Sequence, residues 1–255
     1  KQTKWYKFDH SLESQRKTVA ASDHVMFNSE SDRFYGLRYF GNLISDSSSA
    51  FPIPLVTEQP KARPLASGGE EIVFGTAGRW EYRKGYQNIV EAFFRYYAEH
   101  GKGKLRIMSN AYSEDAELEV AMEQKTVRKF KYLEAQGAIE LVDWSKERST
   151  YINFLQNCDV MMLASLYDPF NIIGYDSLNL EIPLILSKFC GIEEVIEESP
   201  YLRKVNPLDV NNLFEVMQEL GNTLSHHPDK FPEYQITHSW HDMMHKTFDI
   251  YDRVI

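Results

Sequence analysis

Short apolar runs and longer stripes of helical spacing alternate through most of the chain. Ile72-Val73-Phe74 reads as a strand ending at Gly75. Beyond a glycine-containing turn, Tyr86, Ile89, Val90, Phe93, Phe94 and Tyr97 recur at helical spacing up to a stop at Gly101. Leu105-Arg106-Ile107-Met108 gives the next strand. A charged segment from about Ser113 to Ala135 is expected as one helix, with Leu118, Met122, Phe130 and Leu133 on one side, and Ile139-Glu140-Leu141-Val142 as a third strand. A helix opening at Ser145 or Lys146 carries Tyr151, Ile152 and Leu155 into the apolar run Val160-Met161-Met162-Leu163-Ala164, short enough for a strand covered on both faces. A helix from about Asn171 to Asn179 and the run Pro183-Leu184-Ile185-Leu186 repeat the unit. Leu213, Val216, Met217, Leu220 and Leu224 then mark one helix, and the segment from about Ser239 to Arg253 another. Strands separated by helical patterns predict an α/β fold, a doubly wound, Rossmann-like parallel sheet with helices on both faces.

The beginning of the chain differs in character. Ser11 to Ala21 suits a helix, His24-Val25-Met26-Phe27 a short strand and Ser29 or Glu30 to Phe40 a helix, while Ser47-Ser48-Ser49 with Pro52, Pro54, Pro60 and Pro64 mark a linker. The predicted division is therefore residues 1–65 and residues 66–255. No internal repeat is visible.

Composition narrows the function. With 43% hydrophobic and 25% charged residues among 255, a sizeable core is expected. The formal net charge of −9 lacks the basic footprint of a nucleic-acid binder, so nucleic acid is not an expected partner. Cys158 and Cys190 are the only cysteines, each inside an apolar stretch, which leaves no disulfide framework and no CxxC pair. Small core hydrophobes in a reducing, cytoplasmic protein fit that usage. No run reaches the roughly 18 apolar residues of a transmembrane span, and the polar start lacks a signal-peptide core. The first residue is Lys rather than Met, which suggests a piece of a longer or processed chain.

Ligands of open α/β sheets bind at the carboxyl ends of the strands, and three segments fall there. In Gly75-Thr76-Ala77-Gly78-Arg79-Trp80-Glu81-Tyr82-Arg83-Lys84-Gly85, small residues allow close approach of backbone to phosphate, and Arg79 with Lys84 can neutralise a diphosphate. The segment is neither a Walker loop nor a GxGxxG fingerprint, and a solvated basic turn has the same composition. In Ser165-Leu166-Tyr167-Asp168-Pro169-Phe170-Asn171-Ile172-Ile173-Gly174-Tyr175-Asp176, two carboxylates flank a helix start whose N–H groups favour anions, which suits sugar or ribose hydroxyls. Asp168 can equally be a turn or capping residue before Pro169. Cys190-Gly191-Ile192-Glu193-Glu194 is a glycine turn with two carboxylates. His238, His241 and His245 share a helical face, but Asp242 lies off it, so packed or solvated histidines are expected rather than a zinc site. His226-His227 beside Pro228 reads as an exposed loop, and no Asp-x-Asp pair occurs.

Taken in this order, the segments resemble the nucleotide-sugar half of the GT-B glycosyltransferases, in the large retaining group that includes glycogen synthases, sucrose-phosphate synthases and bacterial lipopolysaccharide transferases. Gly78-Arg79 and Lys84-Gly85 resemble that family's Gly-Arg and Lys-Gly element, whose cations bind the donor diphosphate. Asp168 through Asp176 resembles its Glu-x7-Glu element, which implies Asp168 at the donor sugar, Asp176 at the ribose, and Phe170, Asn171, Ile172 and Ile173 along the donor. Glu181-Ile182-Pro183-Leu184-Ile185 and Gly191-Ile192-Glu193-Glu194 are similar to the strand and turn that follow. Ala21 to Ser29 resembles the last strand of the partner domain, and Ser239 to Tyr251 resembles the family's terminal helix. The similarity runs over roughly residues 16–252 and is specific between about 72 and 194.

The resemblance implies the C-terminal half of a GT-B fold and a metal-independent, retaining, hexosyltransferase-type enzyme of carbohydrate biosynthesis that takes a nucleoside-diphosphate sugar and needs no cofactor. Arg79, Lys84 and Asp168 would carry the catalytic roles, the cations stabilising charge on the departing diphosphate. The base pocket falls near Asn110, Asp143 and Trp144. The acceptor, whether carbohydrate, lipid or protein, would sit on an amino-terminal domain of which residues 1–65 are the remnant, so the isolated chain is expected to transfer poorly. Location would be cytoplasmic, with peripheral attachment to a membrane surface open. Both carboxylates are Asp where the family has Glu, each shorter by one C–C bond of about 1.5 Å, and Asn171 stands where Gly is usual. Those departures keep a second reading open, a degenerate GT-B domain that binds or scaffolds without turnover. A nucleotide-sugar epimerase or dehydrogenase is disfavoured by the missing GxGxxG.

Overall fold

The structure, a computed structural model, describes residues 12–51, 71–112, 114–226 and 240–254. Ser11, the linker prolines Pro52, Pro54, Pro60 and Pro64, Ser113, His227, Pro228, His238, Ser239 and the side chain of His226 lie outside those residues. Two units form in space, residues 1–55 with 237–255, and residues 56–236. The sequence division ran the second domain through residue 255, whereas the C-terminal helix groups with the first unit.

In the first unit, helix α1 (12–20) precedes β1 (Val25–Phe27), α2 (Glu30–Phe40) and β2 (Ser48–Ala50). Ser29 caps α2 by accepting a hydrogen bond from the Asp32 N–H at 3.1 Å, and Glu30 and Asp32 in the first turn favour the positive end of the helix dipole. The serines expected in a linker instead form β2, which pairs in parallel with β1 from Val25 opposite Ser48 to Phe27 opposite Ala50. Their hydroxyls are engaged, Ser49 with His24 Nε2 at 2.8 Å and Ser48 with Arg33 Nε at 3.1 Å. Those partners offset the low strand propensity of serine, and composition alone does not reveal them.

The second unit is the predicted parallel sheet. In chain order its elements are β3 (Val73–Ala77), α3 (Tyr86–His100), β4 (Lys104–Ser109), α4 (Asp115–Leu118), α5 (Gln124–Ala135), β5 (Ile139–Asp143), α6 (Arg148–Gln156), β6 (Val160–Leu163), α7 (Ile172–Asn179), β7 (Leu184–Ser187), β8 (Leu202–Val205) and α8 (Val210–His226). The strands lie in the order β5-β4-β3-β6-β7-β8. The chain builds outward from β3 in one direction, then returns beside it and builds outward in the other, the doubly wound arrangement. α9 (Trp240–Val254) returns to the first unit, with exposed His241 and His245 side by side, Nε2 to Nε2 at 3.0 Å.

Both faces of the sheet are covered. Phe74, Ile107, Val160 and Ile185 belong to a core completed by Phe93 of α3, Phe130 of α5 and Met217 of α8. The alternate residues Met161, Leu163, Leu184 and Leu186 are equally buried, which is why these strands read as unbroken apolar runs. Each large side chain so buried contributes roughly 1.5–3 kcal/mol.

Two expectations need correction. The single helix over 113–135 is two, α4 and α5, separated by a turn; Leu118 at the end of α4 and Ala121 and Met122 in the turn are all buried. The Glu123 N–H at the start of α5 donates to Gln87 Oε1 of α3 at 2.7 Å, so a partner distant in sequence stabilises the break. The edge strand β8 was not expected, because only Leu202 and Val205 are buried while Arg203 and Lys204 lie less deeply, the sheet-edge pattern of a strand protected by charge.

A polar network ties α3 to α5. Gln87 Nε2 donates to Thr126 Oγ1 at 2.7 Å, Thr126 Oγ1 donates to Glu91 Oε1 at 2.6 Å, and the Lys129 ammonium pairs with the other Glu91 oxygen. Burial by itself raises the Glu91 carboxyl, but the hydrogen bonds and charge of Lys129 and the Thr126 hydroxyl outweigh it and hold the group below the ordinary glutamate value. A depressed folded value means the stabilisation is complete above the unfolded glutamate value and is lost as pH falls through the folded one. Glu91→Gln is therefore expected to lower stability by about 1 kcal/mol at neutral pH. The deficit should vanish on acidification toward the folded value, as read by urea unfolding at a series of pH values.

Candidate functional site

The strand order reverses between β3 and β6, and the loops leaving those strands emerge side by side at the carboxyl edge. β3 runs on through Ala77, so the loop proper begins at Gly78. There φ is +143°, a conformation that glycine adopts freely, and the Gly78 N–H donates to the Met108 carbonyl of β4 at 3.0 Å. A turn of 3₁₀ helix over Tyr82–Lys84 then delivers the chain to Gly85 at φ +75°. A Cβ on Gly85 would lie 1.9 Å from the Ala164 carbonyl oxygen beyond β6. The Leu166 N–H donates to the Arg83 carbonyl at 2.7 Å. The two loops are thus joined backbone to backbone.

Their side chains meet as well. Lys84 Nζ lies 2.7 Å from Asp168 Oδ2, with both side chains largely buried, and Arg83 Nη1 stands 3.6 Å from the same oxygen. Asp168 is fixed in turn by its backbone: its N–H donates to the Phe189 carbonyl, and its carbonyl accepts from the Gly191 N–H. The expected glycine turn after β7 therefore supports Asp168. Arg79, the most exposed of the three cations, pairs with Glu81 at 3.1 Å.

Asn171 explains how a non-glycine residue stands at this corner. Its φ of 75° and ψ of 76° are left-handed, a region that asparagine tolerates better than other side chains. Its Oδ1 caps α7 by accepting the Gly174 N–H at 3.1 Å, and its Nδ2 donates to Cys190 Sγ at 3.5 Å. Burial pushes the Cys190 thiol up to about 12, which removes it as a nucleophile and leaves it a packing residue. One turn into α7, Asp176 is buried: Tyr151 donates to its Oδ2 at 2.9 Å, and Arg148 Nη2 is 3.5 Å from its Oδ1. Burial and the charge of Asp176 push the Tyr151 hydroxyl up, so it stays a proton donor to the carboxylate.

A cavity of about 350 Å³ opens at this edge. Of the residues expected to meet a donor, Gly78, Arg79, Lys84 and Ile173 line it, and Asn110 and Trp144, expected near a base, form part of its wall. Asp168 sits behind Lys84. Phe170 and Asn171 are buried beneath the turn, Ile172 is half exposed, and Asp176 is enclosed by Tyr151 and Arg148; none of these four lines the cavity. Arg83 and Ser109 were not singled out by sequence. Ser109 ends β4 at the carboxyl edge, and that position was its available signal. Its Oγ is buried beside the Tyr86 hydroxyl, which donates to the Gly78 carbonyl at 2.8 Å and can still accept from Ser109. A hydroxyl in the cavity wall keeps acceptor capacity for a polar ligand atom. Trp80 holds the far side, its Nε1–H on the Asn110 carbonyl at 2.8 Å and its ring 4.7 Å from that of Tyr86.

Among the described residues, no group of three or more His, Cys, Asp and Glu is placed to hold a metal ion, and no helix is long and apolar enough to cross a membrane.

A family model described as glycosyl transferases group 1 matches residues 58–219. No curated protein matches. Among solved structures, sucrose-phosphate synthase from Thermosynechococcus elongatus is similar at 16% identity and a TM-score of 0.66, over 96% of this chain and 62% of that one. A UDP-forming α,α-trehalose-phosphate synthase from Burkholderia xenovorans follows at 18% identity and 0.61, over 85% and 57%. HepE from Anabaena, in complex with UDP, follows at 13% and 0.61, over 81% and 55%. The chain thus spans between 55% and 62% of the length of these structures.

Gly85→Ala is expected to cost roughly 2–4 kcal/mol, from the clash with the Ala164 carbonyl together with the left-handed backbone. Denaturant unfolding reads the loss, and wild-type stability in that variant would remove the close approach of the two loops from the account.

Proposed function

Since the chain belongs to the glycosyl transferases of group 1, we propose that residues 56–236 bind a nucleoside-diphosphate sugar in the cavity at the strand reversal and transfer its sugar with retention at the anomeric carbon. The observation that carries this reading is the convergence of Arg79, Arg83 and Lys84 with the Ser109 hydroxyl on one cavity at the carboxyl edge of a doubly wound sheet. Negative charge grows on the diphosphate as the glycosidic bond breaks. Fixed cations there stabilise the transition state more than the ground state, and they supply the charge neutralisation without a metal ion. The half-exposed Trp144 ring is suited to a base. The names of two structural relatives carry UDP, which makes a uridine nucleotide the first donor to test.

All the cavity walls come from residues 78–173, so we assign the carbohydrate, lipid or protein acceptor to a partner domain upstream. On that assignment this chain binds nucleotide but transfers slowly, and a longer chain extended upstream transfers faster. Equal turnover by the two in a panel of donors and acceptors would sink it. The reducing, cytoplasmic setting expected from two buried cysteines is kept with the proposal.

One observation favours the second reading, a binding or scaffolding module. Both oxygens of Asp176 are already engaged, and Asp168 is engaged by Lys84 and Arg83. A ribose contact therefore has to share or displace those partners.

Titration calorimetry with UDP, GDP and ADP in turn tests the donor site. One of them is expected to bind at micromolar affinity, and binding by none would overturn the reading. Arg79→Ala is expected to weaken the diphosphate by about 1.5 kcal/mol, the lower end for a charged hydrogen bond because this side chain is exposed, while leaving the free nucleoside unaffected. For Asp176, the 2′,3′-dideoxy nucleotide is expected to bind more weakly than the ribonucleotide. Equal affinity would make this carboxylate a structural partner of Tyr151 only.

A further inference from the structure

Glu81 lies between the two arginines in sequence and joins them in space. Its Oε1 is 3.1 Å from Arg79 Nε, and its Oε2 is 2.7 Å from Arg83 Nε. Both guanidinium groups stand against the same carboxylate, one at each oxygen. Among the described residues, Arg79 has no other ion pair. Arg83 uses Nη1 toward the Tyr167 carbonyl and Asp168, at 3.4 and 3.6 Å, and has no partner for Nη2. Both arginines line the cavity, and Glu81 does not. Its backbone is anchored from both sides, by the pinned indole of Trp80 and by the Lys84 N–H, which donates to the Glu81 carbonyl at 3.0 Å.

We infer that Glu81 is a positioning residue that holds Arg79 and Arg83 as a paired clamp with their Nη groups presented to the donor diphosphate, Arg83 being a third phosphate ligand beside Arg79 and Lys84. This rests on the donor site proposed above. An exposed ion pair contributes little to folding, so the effect of Glu81 falls on the two forks. A guanidinium held against a carboxylate has less rotamer freedom to lose when its Nη groups meet a phosphate, and a planar fork benefits from that more than an ammonium does. The carboxylate therefore strengthens an anion site despite its charge. A merely neighbouring negative charge acts with the opposite sign, repelling the diphosphate, and the two accounts separate by direction.

The experiment is calorimetry of UDP, GDP and ADP on the wild-type chain, Glu81→Gln, Glu81→Ala, Arg83→Lys and Arg79→Ala. A glutamine has one carbonyl oxygen and can hold at most one of the two guanidinium groups. For whichever nucleotide binds the wild type, Glu81→Gln and Glu81→Ala are expected to weaken it roughly fivefold, about the ordering cost of one long side chain. Arg83→Lys is expected to weaken it too, although the charge is kept. In an Arg79→Ala/Arg83→Ala background the sign should reverse, and removing Glu81 should then tighten binding, because only its repulsion remains. Unchanged or tighter binding by both Glu81 variants in the wild-type background, while Arg79→Ala weakens it, overturns this inference and leaves the donor site standing. No binding of any nucleotide to the wild type overturns both.

Discussion

The site depends on the close contact of two loops at the point where the sheet reverses. A hydrogen atom at Gly85 is all that fits beneath the Ala164 carbonyl, and the contact brings Lys84 within 2.7 Å of Asp168. The loops leave β3 and β6, neighbours in the sheet but separated in sequence by α3, two strands and the helices between them. Only a backbone approach that no side chain obstructs brings a cation from one and a carboxylate from the other into a partly dry pair. Burial then makes the geometry strict, since a charge removed from water has to be matched closely by its partner.

That pair also defines what a ligand must do. The ammonium expected to meet phosphate is already satisfied by Asp168, and Arg83 stands within reach of the same oxygen. On the proposed donor site, a diphosphate entering the cavity would add negative charge beside an existing carboxylate and would share the three cations with the protein. Arg79 is exposed, and the Ser109 hydroxyl stands in the same cavity wall. Asp176 shows the opposite economy: enclosed by Tyr151 and Arg148, it is stabilised from within the fold.

The architecture was legible in sequence because a parallel sheet covered on both faces writes itself as short apolar runs between helical stripes. Val160 to Leu163 and Leu184 to Leu186 read as strands for that reason. The family resemblance was legible because Gly78, Arg79, Lys84 and Gly85 are set by local demands of turn and charge at fixed spacing. The sequence was silent wherever a partner distant in the chain decided the outcome. β2 forms from serines because His24 and Arg33 bond their hydroxyls, and α4 and α5 separate because Gln87 caps the second of them.

The same division runs through the site. Sequence determined which loops carry the cations and carboxylates and on which edge of the sheet they emerge, since strand order and turn chemistry are local or periodic properties. Tertiary structure decided that Arg83 and Ser109 join the cavity, that Asp168 lies behind Lys84, and that Asp176 faces Tyr151 and Arg148. Burial and charge pairing are properties of atoms within a few ångströms of one another, and residues far apart in the chain acquire such neighbours only when the sheet assembles.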